Sequence, residues 1–341
     1  MKKIIYTLVF LMVLAITTLF LLPSYLSVAS VKEPLEIVIP KGASTTYVAN
    51  LLSEKKVVKS ELWFKYKAKQ AQVDRFIKPG TYVLTPDVTM DEIFQLLIKG
   101  APETPVVLTI PEGFTIYQMA ERMESIGLGT ADEFLQATNT YFSDKGYSFD
   151  TEKLYFSLEG YLYPDTYHFT MNNTPADVVN RLAKTMEDIF TAEYQERAKE
   201  LNLSIHEVLT IASLIEREAY NDEEKSIISG VIYNRIKKKM PLQIDATVIY
   251  GIGEGKEHIT RVLNVHLEES SPFNTYRNPG LPPGPIAAPS KTSIYAALYP
   301  EDHNYLYYVL GKDGHVFGTT YKEHLKNVQD YRKIMKEKSN N

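Results

Sequence analysis

The stretch "IASLIEREAY", residues 211–220, closes an apolar run with two carboxylates, Glu216 and Glu218. Upstream, Ser204 and Glu207 form a Ser-x-x-Glu capping box, so a helix is expected to start at Ile205. At about 100° per residue, Glu218 falls in the middle of the stripe made by Val208, Ile211, Leu214 and Ile215. Glu216 lies about 160° away, beside Leu209 and Ser213. Residues two apart on a helix do not share a face, so the two acids meet different surroundings. Glu216 is expected to be solvated or ion-paired. Glu218 points where the core points, at a last turn that can open into a cleft. A carboxyl partly withdrawn from water, at the negative end of a helix, has a raised pKa. Such a group stays protonated near neutral pH and can act as a general acid toward a leaving oxygen. The alternative is a glutamate at a fraying helix end, turned out to solvent.

Polar groups follow in two places. In "NRIKKKMPLQIDATVIYG" (234–251), Asn234, Gln243, Asp245 and Thr247 are spread through apolar sequence. "NTYRNPGLPPGPIAAPS" (274–290) offers Asn274, Thr275 and Tyr276 on a chain stiffened by proline. Fixed amides and hydroxyls beside an aromatic ring suit a sugar, whose faces stack and whose hydroxyl and acyl groups need donors and acceptors. A structural loop packed by its prolines has the same composition. Other patterns fail as sites. "HEVLT" begins like a zinc motif, but Thr210 stands where the second histidine belongs. "GIGEG" lacks the full dinucleotide fingerprint. Arg235 to Lys239 reads as a solvated basic helix end. His315 and Phe317 read either as part of a strand or as cleft lining.

The elements that must position these groups belong to an ordinary globular chain of 341 residues, 44% hydrophobic and 23% charged. Its net charge of -5 argues against a nucleic-acid binder. With no cysteine, thiolate metal sites, disulfides and thiol nucleophiles are excluded. The charge-free run Ile4–Leu22 follows Lys2 and Lys3. A bilayer-crossing helix needs about 20 apolar residues. A single N-terminal transmembrane helix is therefore expected, with the N-terminus cytoplasmic and the rest extracytoplasmic. The rival is a signal peptide cleaved near "SVA" at 27–29. Residues 1–30 are read as this anchor, 34–100 as a small α/β module, 105–157 as a second related segment and connection, and 158–338 as the main domain. The relation between the two segments rests on a repeat. "IPKG" at 39–42 recurs as "IPEG" at 110–113, and the same shift carries Val48 onto Met119, Leu52 onto Met123, Val57 onto Leu128 and Trp63-Phe64 onto Phe134-Leu135. In the main domain one long helix is expected from Pro175 through Leu201, and a hairpin over 305–319 around Asp313-Gly314. The class is α+β, helix-rich with a β-hairpin.

Taken together, "LEGYLYPDTY", "IASLIEREA", "VIYNRI", "LQIDATVIYG" and "NTYRNPGLPPGPIAAP" resemble the YceG/MltG family of membrane-anchored endolytic murein transglycosylases. The resemblance implies that the second glutamate of the pair, Glu218, is the catalytic acid. The family's Leu-Gln-x-Asp motif falls on Gln243 and Asp245 and its Asn-Arg pair on Asn234 and Arg235, which implies substrate binding by Asn234, Gln243 and Asp245. Many members carry proline where this chain has Ala246. The N-terminal module would be LysM-like. The implied reaction cleaves the bond between N-acetylmuramic acid and N-acetylglucosamine within peptidoglycan strands, leaving 1,6-anhydro ends, with no cofactor and no metal. The implied partners are the glycan strands, the cell membrane and cell-wall synthases of elongation or division. A muramidase using Asp245 as second carboxylate, and a membrane-tethered non-catalytic glycan-binding scaffold, remain as alternatives.

Overall fold

The computed structural model describes residues 31, 33–40, 42–86, 88–101, 105–147, 149–256 and 262–339. The run Ile4–Leu22 expected to form the anchor lies outside the described residues, among which no helix is long and apolar enough to cross a membrane. The chain divides into two compact units, one reaching to Pro105 and including Thr170–Asn172, the other comprising Val106–Phe169 and Asn173–Asn341.

In the first unit, β1 (Leu35–Ile39) pairs antiparallel with β2 (Gly80–Leu84), Ile37 opposite Tyr82. Side chains alternate across each strand, so Ile37, Ile39, Tyr82 and Leu84 face one core while Val38 and Val83 face out. Helices α1 (Thr45–Glu54), α2 (Glu61–Gln70) and α3 (Met90–Lys99) cover that face. Ser44, Ser60 and Thr89 cap them, each accepting a backbone N–H that the first turn leaves unpaired.

The second unit opens with β3 (Pro105–Thr109), α4 (Ile116–Ser125) and α5 (Ala131–Lys145). It repeats the strand–helix–helix order of the first unit. Val48 and Met119, Leu52 and Met123, and Val57 and Leu128 are buried in both copies. The second helices differ in phase. α5 starts one residue earlier than the repeat predicts, so Phe134, not Leu135, takes the buried place of Phe64. β3 pairs with β4 (Thr166–Thr170). Residues 106–169 and those that follow share one core, so the segments read as 105–157 and 158–338 pack as a single body.

The helix expected from Pro175 to Leu201 is broken into α6 (Pro175–Ile189) and α7 (Ala192–Glu200). Thr191 is the reason: it leaves the helix and caps the next one, accepting the Tyr194 N–H. Then come α8 (Ile205–Glu218), α9 (Asp222–Lys237), α10 (Asp245–Gly253) and α11 (Lys291–Leu298). The hairpin β5 (Tyr307–Leu310) and β6 (His315–Gly318) precedes α12 (Tyr321–Ser339). Among the described residues the architecture is helix-rich α+β with three two-stranded sheets. α8 is its central post: every residue from Val208 to Ile215 is buried, Leu209 and Ser213 included. A helix buried all round has no solvent face. The stripe read from the sequence was only one of its two protein-facing sides.

The motif "LEGYLYPDTY" contributes a buried carboxyl to this core. Glu159, 2% exposed, accepts the Ile116 N–H at 3.0 Å and the Tyr250 hydroxyl at 3.1 Å. Burial pushes its pKa up to about 8, with those two bonds opposing. The folded protein therefore keeps a proton here that the unfolded chain has released. The stability this adds is complete below the unfolded value and is lost as pH rises through the folded one. Wild-type Tm is expected to fall more steeply between about pH 5 and 8 than that of Glu159→Gln, as thermal melts across that range will read.

Candidate active site

The capping box at the start of α8 forms as read: Glu207 accepts the Ser204 N–H at 2.8 Å, and Ser204 Oγ accepts the Glu207 N–H at 3.2 Å. At its other end the two glutamates part company. Glu216 is not solvated. Its side chain is 9% exposed, and Lys225 Nζ, 7% exposed, lies 3.5 Å away. Glu216 also accepts the Ser290 N–H at 2.8 Å, the Ser293 hydroxyl at 2.6 Å and the Ser290 hydroxyl. Ser290 caps α11, so Glu216 sits at a helix N-terminus where an anion is favoured. Through Oε2 this acid bolts α8 to α11 and α9.

Glu218 has a different setting. It is half-buried and opens into a cavity of about 440 Å³. The Tyr308 hydroxyl donates to its Oε2 at 2.8 Å. Burial pushes the Glu218 carboxyl up, and the charge of Asp245 adds to this; the Tyr308 bond, the charge of His315 and the Ala246 amide pull it down. The raised value matches the reading from helix position. The sequence argument missed that the first turn of α10 meets this end of α8, so a helix N-terminus offsets part of the effect.

The cavity wall has two sources. Arg235, Gln243, Asp245 and Tyr276 come from α9, α10 and the loops beside them. Tyr307, Tyr308 and His315 come from the hairpin, and Tyr321 and His324 from α12. The Tyr276 hydroxyl donates to Asp245 Oδ1 at 2.6 Å. Burial, then that bond, raise the Tyr276 phenol, keeping it a donor. Gln243 is exposed to the cavity and holds φ of 52°, the left-handed region that a residue with a Cβ enters at a cost of about 1–3 kcal/mol. Its N–H donates to Thr275 O at 3.2 Å, and its Oε1 accepts from Arg235 at 3.3 Å. Arg235 is the correction to the solvated basic end: it is 8% exposed and donates to Leu306 O, Pro241 O and Leu242 O. Its guanidinium lies 5.2 Å from the Tyr307 ring centroid.

Four of the polar residues read as substrate-binding do not reach the cavity. Asn234 spends its amide on His303 O at 2.7 Å and Tyr305 O at 3.1 Å, tying α9 to the approach of β5. Thr247 and Thr275, both buried, bond each other at 2.9 Å, and Thr275 accepts the Ile244 N–H at 3.0 Å. Asn274, fully buried, donates to Leu267 O and Glu269 O and accepts the Tyr276 N–H. Each bonds the backbone of an irregular segment. Thr247, Asn274 and Thr275 brace the segments that carry Gln243 and Tyr276, while Asn234 braces the approach to the hairpin. Missed were Tyr307, Tyr308, Tyr321 and His324, which reach the cavity only through tertiary packing. The hairpin that carries Tyr307 and Tyr308 was readable; their neighbours across the cavity were not.

The second unit is thus a helix-rich α+β body whose central helix brings a half-buried glutamate, beside Asp245, to the wall of a polar, tyrosine-lined cleft. Residues 37–330 match the YceG-like family, and the chain belongs to that family. It is 36% identical over 318 residues to the endolytic murein transglycosylase of Bacillus subtilis (strain 168), covering 90% of this chain and 87% of that protein. It is 31% identical over 331 residues to the endolytic murein transglycosylase of Streptococcus pneumoniae serotype 2 (strain D39 / NCTC 7466), covering 89% of this chain and 59% of the pneumococcal protein's length. The crystal structure of the yceG-like protein lmo1499 from Listeria monocytogenes, solved at 2.6 Å, superposes with a TM-score of 0.60 at 32% identity, over 87% of this chain and 99% of that one.

Proposed function

We propose that this chain is an endolytic lytic transglycosylase of peptidoglycan, with Glu218 as its acid and base. The observation that carries the proposal is the Glu218 carboxyl, held by the Tyr308 hydroxyl, at the wall of a polar cavity of about 440 Å³. Most glycosidases need two carboxylates, an acid and a nucleophile or base. A transglycosylase can work with one. Glu218 gives its proton to the oxygen linking N-acetylmuramic acid to N-acetylglucosamine, and the bond from that oxygen to the anomeric carbon breaks. The muramic acid's own C6 hydroxyl then attacks the anomeric carbon, and the Glu218 carboxylate takes the hydroxyl's proton. No water is consumed and Glu218 ends as it began. Asp245, held by Tyr276, supplies negative charge beside the oxocarbenium-like state. Gln243 offers an amide to hydroxyl or acetamido groups.

Asp245 also favours a second reading, since it lines the same cleft and could serve a hydrolase. Product masses separate the two. Digests of purified sacculi are expected to contain muramic acid ends lighter by one water than reducing ends. Reducing ends would mean hydrolysis. Binding without soluble fragments would mean a scaffold.

The same proposal places the chain at the cell membrane, anchored through Ile4–Leu22, with residues 158–338 as the catalytic region and wall synthases as neighbours. Its first unit is read as the LysM-like module. The β–α–α–β order with antiparallel pairing supports that reading.

A further inference from the structure

Glu224, on α9, is buried and has no part in the reaction above. Its Oε1 accepts the His315 backbone N–H at 2.6 Å, and its Oε2 lies 2.7 Å from His315 Nδ1. Burial works to raise this carboxyl, but the His315 bonds outweigh it and hold Glu224 below the usual carboxylate range. Glu224 is thus an anion, and Nδ1 is the donor. Gly314 stands just before His315 with φ of 138°, and a Cβ there would collide with Glu224 Oε1. The hairpin turn is shaped around this one side chain.

What the clasp holds in place is Glu218. Alternation puts Tyr308, Leu310, His315 and Phe317 on one face of the hairpin. On that face Tyr308 bonds Glu218, and the His315 ring packs edge-on against Tyr308 at 5.3 Å. Burial, then the Glu218 charge, keep the Tyr308 phenol well above its ordinary value, so it stays a donor. The charged and titratable groups sharing the cavity with Glu218 are Asp245 from α10, Tyr276 from the proline-rich loop, Arg235 from α9, Tyr307, Tyr308 and His315 from the hairpin, and Tyr321 and His324 from α12.

We propose that Tyr308 and His315 are positioning residues for Glu218, clasped by Glu224, and that they act on the carboxylate half of its cycle. The inference rests on Glu218 being the acid and base. A protonated Glu218 starts the reaction, and the carboxylate it becomes must wait, oriented, for the C6 proton. Tyr308 supplies that carboxylate with a fixed donor, and His315 adds a partner whose positive form favours it.

The test is the pH dependence of fragment release from sacculi by the full chain. Its basic limb reports Glu218 losing the proton needed for the first step. Tyr308→Phe keeps the ring and removes the donor. Its limb is expected to move up by about one pH unit, a tenfold change in proton affinity, with Tm near wild type. Glu224→Gln removes the anion that orients His315 and is expected to move the limb the same way by less. A lower rate with an unmoved limb in both variants would overturn the proposal, because a purely structural hairpin predicts that result. Glu218→Gln reads the acid assignment by itself. An unmoved limb in an enzyme that still requires Glu218 therefore defeats the positioning role alone.

Discussion

Glu218→Gln is expected to fold like the wild type and to release fragments from sacculi about 10²–10⁴-fold more slowly, the usual loss for a general acid. Glutamine has the same shape and can still accept the Tyr308 hydroxyl, so the wall of the cleft keeps its geometry. What it lacks is a proton to give and a carboxylate to take one back. Both halves of the proposed cycle fail together. Stability points the other way. Because burial raises the Glu218 pKa, the folded state disfavours the ionised carboxyl relative to the unfolded chain. The neutral amide avoids that cost, so the Tm of the variant should equal or exceed that of the wild type. A loss of rate with a fall in Tm would point to a structural role.

Glu216→Ala has the converse signature. It leaves Lys225 buried, with only the largely exposed Asp222, at 2.7 Å, as a carboxylate partner. It also strips the acceptor from the Ser290 N–H at the start of α11. Breaking one side of a buried ion pair destabilises by about 3–5 kcal/mol. For a body of this size that amounts to a Tm lower by roughly 10 °C. Removing both charges in Glu216→Gln/Lys225→Met should recover much of the loss, since a matched apolar replacement leaves no stranded ion. Denaturant unfolding checks this: a change under 1 kcal/mol for Glu216→Ala would show that the pair contributes little. On the proposed assignment, neighbouring acids on one helix turn separate, one into folding and one into chemistry.

The sequence made α8 legible from its cap to Glu218, because a capping box and an apolar period are local signals. The β5–β6 hairpin was legible from Asp313-Gly314 for the same reason. Which of the nearby polar residues face substrate was not. Asn234, Thr247, Asn274 and Thr275 have the same chemistry as Gln243 and Tyr276, and sequence carries no mark of which amide is needed to satisfy a buried carbonyl. Glu216 read as solvated or ion-paired because a two-sided apolar helix and a one-sided one share a stripe; the packing of α11 and Lys225 decides for the ion pair. Tyr308 meets Glu218 across a long loop of chain, a contact no local pattern encodes. Thr191 shows the reverse case: a cap residue inside a helical period was readable, and it decided the break between α6 and α7.

The most direct test of the account compares Glu218→Gln with Glu216→Gln, each purified folded, for initial rate of soluble fragment release from sacculi. The account predicts that the first all but stops, while the second, per folded molecule, stays near wild type. The opposite pattern, with release surviving the loss of Glu218 and dying with Glu216, would contradict it.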